Sequence, residues 1–374
     1  MKILIAPDSF KESLPSPQVA QAIKKGLAQS LPQASFSLLP IGDGGEGTIA
    51  ALNVNLRFIE KKFQVTGPFG DLVEMVYLQK GTQAMFEVAD VVGLAKIPQD
   101  QRQPLQLTTQ GIGELFLHLA EEGVTEVFVG VGGSATHDGG IGLAAGLGYR
   151  FFNAEGQELP ALGCSLGQVS YIRDDQVSTK LQELAVTVLT DVTNPLCGLE
   201  GAAYIFAGQK GLPVAAYSSV DKATAHFYNL VNPKMLTQVG AGAGGGLAAG
   251  LATFLGAKLV SGIDWSLDLL KFNNLVEDVD LVIVGEGRLD RQSLSGKTPI
   301  GIARRVPQGV PVIAICGSLS DDLPNFPFEN IQAAFSILHK ISTIEEALQE
   351  AETNLVTAAA NIGHLLSIQL ERKI

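Results

Sequence analysis

The chain has 374 residues, 46% of them hydrophobic and 17% charged, a balance that excludes a disordered protein and leaves room for two or three domains. Its formal net charge of −12 disfavours nucleic acid or an anionic membrane, either of which requires a basic face, so neither partner is expected. Three cysteines, Cys164, Cys197 and Cys316, lie far apart with no CxxC spacing and read as thiols of a reducing, cytoplasmic compartment.

In chain order, the first strand is expected at 3–5, and the start "MKILIAPDSF" lacks the pattern of a signal peptide. Asp8, Ser9 and Lys11 follow that strand. Ser16 and Pro17 give an N-cap and a first helical residue, with Val19, Ile23 and Leu27 on one face. A weaker strand, "FSLL", leads into "PIGDGGEGT", which holds Asp43 and Glu46. Residues 56–90 read as three short antiparallel strands broken by Gly-Pro-Phe-Gly and Lys-Gly-Thr.

Further on, a strand at 126–131 runs into Gly132, Gly133, Ser134, Thr136, His137 and Asp138. Another at 183–189 precedes Asp191, Thr193 and Asn194. Residues 235–257 carry no charge, but seven glycines and a stripe of Leu247, Leu251, Phe254 and Leu255 predict a buried helix rather than a membrane span. The strand 280–284 leads into Gly285, Glu286, Gly287, Arg288 and Asp290, then Lys297 and a helix start at Thr298-Pro299. A last strand is expected at 311–315.

Strands alternating with helices predict an α/β protein. Two α/β domains are expected: a Rossmann-like domain with a largely parallel sheet, made of 1–55 and 275–374, and an inserted mixed domain, 56–274. In such folds ligands bind past the carboxyl ends of strands, where the polar clusters above fall. Glycine agrees, since 22 of 42 lie within 42–47, 130–148, 240–250 and 285–301. Clustering of this kind favours bound phosphate.

Two familiar motifs fail on inspection. "GEGRLDRQSLSGKTP" ends like a P-loop, but Arg291 stands where its first glycine belongs. "GAGAGG" at 240–245 has dinucleotide-fingerprint spacing with Asp264 about twenty residues on, yet the preceding "VNPKMLTQV" makes a poor strand. The segment "GVGGSATHDGG" suits an anion site, through backbone N–H groups and the Ser134 and Thr136 hydroxyls; a tight turn capped by Asp138 is the plainer alternative. Phosphoryl transfer from ATP calls for Mg²⁺ held by carboxylates, cations against developing charge, and a base. Asp43, Asp191, Glu286 and Asp290 can serve as the acids, and Lys11, Arg288 and Lys297 as the cations. The five histidines are scattered and suggest no zinc site.

These residues sit in blocks that resemble the bacterial glycerate kinase family: "IAPDSFKESL", "GDGGEGT", "TTQGIGEL", "GVGGSATHDGG", "TDVTNPLCG", "QKG", "GAGAGGGLAAGL" and "GEGRLDRQSLSGKTPIGIAR", in that family's order. Glu12 replaces an expected Gly, His137 an expected Asn, and Thr193 the commoner Asp. The resemblance implies two α/β domains enclosing an active-site cleft, ATP and Mg²⁺ as cofactors and D-glycerate as the small-molecule substrate, with 2-phospho-D-glycerate as product. Transfer to the 3-hydroxyl, a nicotinamide-dependent oxidoreductase and a non-catalytic sugar-acid sensor are the alternatives. On this reading Asp191, Lys297 and Arg288 are catalytic, and Asp8, Ser9, Lys11 and Asn194 bind substrate. Gly132, Gly133, Ser134, Thr136, Gly285 and Gly287 hold ATP phosphates, and Asp43, Glu286 and Asp290 the metal. Monomer and homodimer both stay open.

Overall fold

A computed structural model describes residues 1–291 and 293–371. The chain divides into two compact units. The first comprises Met1–Asp43, Gly47–Arg57 and Ile263–Ile374; the second comprises Gly44–Glu46 and Phe58–Gly262.

The first unit is built on a parallel five-stranded sheet in the order Ile331–Ser336, Val312–Cys316, Leu281–Gly285, Lys2–Pro7, Ser35–Leu38. Parallel strands need both faces covered, so the central ones read as continuous apolar runs. Side chains alternate accordingly. Ile3, Ile5, Leu281 and Ile283 enter a core shared with the helices Ser16–Ser30 and Ala351–Glu371. Leu4, Ala6, Val282 and Val284 enter the opposite core, with Ile300 and Ile302 of the helix Thr298–Arg305. Each fully buried Val, Leu or Ile side chain here contributes about 1.5–3 kcal/mol. At Gly26 an ideal Cβ would lie 2.3 Å from Val356 O and 2.6 Å from Ala359 Cβ, so only glycine permits the two long helices to approach this closely.

The second unit holds a mixed six-stranded sheet in the order Lys258–Ser261, Ala185–Thr190, Glu126–Gly130, Gln83–Glu87, Leu72–Lys80, Ile59–Thr66. Its first four strands pair in parallel, and its last three form the antiparallel meander expected from residues 56–90. Strand and helix side chains such as Val127, Val129, Ile112, Phe116, Leu247 and Leu251 build its main core.

Local expectations need correction in two places. Ser16 does not cap its helix: the cap is Pro15, and the Ser16 hydroxyl donates to Pro7 O at 2.7 Å while accepting from Ile41 N at 3.0 Å. It thus links the end of one strand to the loop after the next. Within 235–257 only Leu247–Phe254 is α-helical, because Gly240, Gly244, Gly245 and Gly246 all take positive φ and turn the chain before it. The helix after the 132–136 turn is short, Ile141–Gly146.

Candidate functional site

In the first unit the ends of Lys2–Pro7 and Leu281–Gly285 lie side by side, Pro7 opposite Gly285, and Asp8 N continues the ladder by donating to Gly285 O at 2.8 Å. That register brings Asp8 and Glu286 out of neighbouring strands at the same edge. Asp8 Oδ1 accepts from Ser9 N and Oδ2 from the Thr298 hydroxyl, both at 2.6 Å. Burial, reinforced by the charge of Asp43, still raises its pKa to about 7; the two hydrogen bonds and Lys11 only partly oppose this. Glu286, 9% exposed, is pushed to about 8, mainly by burial and further by Asp8 and Asp43, against a Ser293 hydrogen bond and Lys297. Its Oε1 is buried with no hydrogen-bond partner.

Asp8 and Glu286 are both raised by burial and by the negative charge of Asp43, and Glu286 keeps an orphaned oxygen; a divalent cation at this strand edge would oppose that repulsion. Among the described residues no group of three or more His, Cys, Asp or Glu side chains is placed to hold a metal ion, so the protein would supply at most one or two oxygens. Magnesium fits this arrangement, because it commonly takes one or two carboxylates and completes its shell with water and phosphate oxygens. Asp43 and Glu286 are the residues that would hold it.

Asp290 stands differently. It closes a turn, its Oδ1 accepting from Ser293 N at 3.2 Å, and its Oδ2 lies 3.9 Å from Arg288 Nε. The Arg288 side chain is 66% exposed. Lys297 is the N-cap residue of Thr298–Arg305 through its backbone, and its carbonyl accepts from Gly301 N at 2.8 Å. The space beside Gly285 and Gly287 is filled by protein: an ideal Cβ would lie 2.3 Å from Ile315 O at the first and 3.3 Å from Lys11 N at the second. These glycines serve close backbone packing around the strand ends.

The second unit carries the other candidates. Asp191 follows the strand Ala185–Thr190 and is half-buried. Beyond it, Asn194 donates its amide to Glu200 O at 2.8 Å, and Asn194 O accepts from Gly242 N at 3.1 Å, so this residue braces its loop.

In the 132–136 turn, Gly133 has φ +70, and an ideal Cβ at Gly132 would stand 2.8 Å from Gly45 Cα. Ala135 N and His137 N are spent on Val92 O and Pro104 O. Asp138 accepts from Thr109 N at 3.0 Å, Thr109 Oγ1 at 2.6 Å and Gly140 N at 3.0 Å. It therefore acts as the buried brace of the turn. His137 is 1% exposed, and burial lowers its pKa to about 3, keeping it neutral. Thr136 Oγ1 is buried without a hydrogen-bond partner, and Ser134 Oγ accepts from Lys210 Nζ at 2.9 Å.

Sequence reasoning gave no role to Thr298 or Lys210. Thr298 was legible only as a helix start, although a hydroxyl at the first helical position after Lys297 is a natural donor to a nearby acid. Lys210 sits between glycines in the apolar stretch "YIFAGQKGLPV", where a lone lysine is a signal of a paired, buried cation. The run "GAGAGG" follows the 3₁₀ turn Pro233–Leu236 and no strand, so it lacks the context of a dinucleotide fingerprint.

Comparison with known proteins agrees with this architecture. Residues 3–367 match the model of the "Glycerate kinase family". The chain is 55% identical to a glycerate kinase of Neisseria meningitidis serogroup B over 368 residues, 98% of this chain and 99% of that one. It is 41% identical to the glycerate 2-kinase of Escherichia coli K12 over 375 residues, 98% of each. A crystal structure of a Salmonella typhimurium LT2 protein, provisionally assigned as glycerate kinase 2, superposes with a TM-score of 0.83 at 38% identity, covering 99% of both chains. End-to-end matches of this strength mean that the chain belongs to the glycerate kinase family.

Proposed function

We propose that this protein transfers the γ-phosphoryl group of ATP to the 2-hydroxyl of D-glycerate, giving 2-phospho-D-glycerate. The observation that carries this reading is the near full-length similarity to a relative named glycerate 2-kinase. That similarity favours the 2-hydroxyl over the 3-hydroxyl. The place of "GAGAGG" outside any strand–turn–helix unit speaks against a nicotinamide enzyme.

Bound Mg²⁺ would supply charge neutralisation for the β- and γ-phosphates, with Asp43 and Glu286 as its protein oxygens. Asp8, Ser9 and Lys11 are placed to bind the hydroxy acid, Lys11 offering a positive charge to its carboxylate. Lys297 would neutralise charge that develops on the transferring group. Arg288 has the exposure and reach of a mobile clamp rather than a fixed one. Asp191 is assigned as the base that orients the glycerate hydroxyl and accepts its proton. The Gly132–Thr136 turn, with its left-handed glycine and two hydroxyls, is assigned to the nucleotide phosphates. No helix among the described residues is long and apolar enough to cross a membrane, and three free cysteines support a reducing, cytoplasmic setting.

A coupled assay of ADP release with D-glycerate, L-glycerate and excess EDTA tests the reading. Turnover with D-glycerate that EDTA abolishes supports it. Equal turnover on L-glycerate, or full turnover in EDTA, contradicts it.

A further inference from the structure

Lys210 lies in the turn Gly208–Lys210 and is 3% exposed. Its Nζ donates to Ser134 Oγ at 2.9 Å and to Thr136 O at 2.8 Å, residues 76 and 74 positions away. A buried ammonium is costly unless paired, and an apolar side chain of similar length would fill the same volume without that cost. The surroundings are nevertheless kept open for it. Gly245 sits at φ +72, where an ideal Cβ would lie 2.2 Å from Thr136 O and 3.1 Å from Lys210 Nζ. Asp138 provides an opposite charge, itself fixed by Thr109 and Gly140. His137, on the same segment, is held neutral by burial and by the lysine. Burial lowers the Lys210 pKa to about 7, and the turn is pinned from within the unit by the hydrogen bonds that Lys210 donates and those that Asp138 accepts.

We propose that Lys210 is a positioning residue for phosphoryl transfer, tying Ser134 and Thr136 together so that Gly132–Thr136 keeps one shape for the nucleotide phosphates. The proposal rests on the reading of that turn as phosphate-binding. Lys210 acts through Ser134 and the backbone and does not itself touch the nucleotide.

The test is a double-mutant cycle on the full-length enzyme, with ATP affinity measured by calorimetry and KM measured for each substrate. Lys210→Met and Ser134→Ala are each expected to weaken ATP binding tenfold or more, leaving KM for D-glycerate within about twofold, and the double variant loses no more than the larger single loss. Lys210→Met with wild-type ATP affinity, or losses that multiply in the double variant, would overturn the positioning role while leaving the phosphate-binding turn in place. Ser134→Ala with wild-type ATP affinity would overturn the reading of the turn, and the proposal with it. Should the Lys210→Met protein not fold, Lys210→Arg enters the same cycle and is judged by the same criterion.

Discussion

Thr298 donates its hydroxyl to Asp8 Oδ2 at 2.6 Å, joining residues 290 positions apart in sequence. The bond ties the first turn of Thr298–Arg305 to the end of Lys2–Pro7 and favours the ionised form of Asp8 against burial and the charge of Asp43. Thr298→Val removes the donor and nearly keeps the shape. The Asp8 pKa should then move above about 7, shifting the acid limb of kcat/KM to higher pH. A superimposable pH profile would show that this limb reports another group.

Asp8 also gives stability a pH signature. Its pKa is raised from 3.8 to about 7, so the folded protein holds a proton that the unfolded chain releases. The contribution is complete below 3.8 and is lost as pH rises through about 7. Asp8→Asn should therefore lose less melting temperature than the wild type between pH 6 and 8, on the order of a few degrees. Glu286, raised to about 8, leaves a residual slope. Parallel melting curves in the two proteins would count against the buried Asp8 proton.

Metal binding has a readout apart from activity. A ligand that binds only the folded state raises the melting temperature, so MgADP should stabilise the wild type more than ADP alone. Glu286→Gln should lose most of that difference, because it withdraws one of the two oxygen donors assigned to the cation. Equal stabilisation by MgADP in both proteins would remove Glu286 from the site.

Lys297→Ala is expected to lower kcat on the order of a hundredfold, as removal of a positioned charge does. The helix should survive, since Lys297 caps it through the backbone. Circular dichroism and steady-state kinetics on the same preparation check both halves. Wild-type turnover would make Lys297 a surface lysine.

Two glycines separate backbone strain from crowding. Gly309→Ala, at φ +96 with nothing within 4 Å of an ideal Cβ, should cost only the left-handed backbone term of about 1–2 kcal/mol. Gly245→Ala should cost clearly more, because the added carbon also meets Thr136 O at 2.2 Å. Urea denaturation of the two variants gives the comparison, and equal losses would mean that the Gly245 turn yields freely.

The strands were readable where burial on both faces left an unbroken apolar run, as in Leu281–Gly285, and the meander where Gly-Pro-Phe-Gly and Lys-Gly-Thr interrupt alternation. The acids at strand ends were readable for the same reason: a charged residue directly after a buried run must lie at a sheet edge. Pairings across long sequence separations were not. Nothing in "TPIGIAR" announces that its threonine meets Asp8, and nothing in "QKG" names Ser134 as the partner of Lys210. The run 240–246 misled in a different way: the helix expected across 235–257 from its leucine stripe took it in, while positive φ at four of its glycines makes it a turn. Ser16 had the right residue type for a cap, but two tertiary hydrogen bonds claim its hydroxyl.

Phosphorus NMR of the product formed from D-glycerate and MgATP is the most direct measurement. Resonances of ADP and a secondary phosphate coupled to the single proton on C2 are expected. A primary phosphate coupled to the two protons on C3, or the absence of any new phosphate ester, would contradict the assignment of this protein as a D-glycerate 2-kinase.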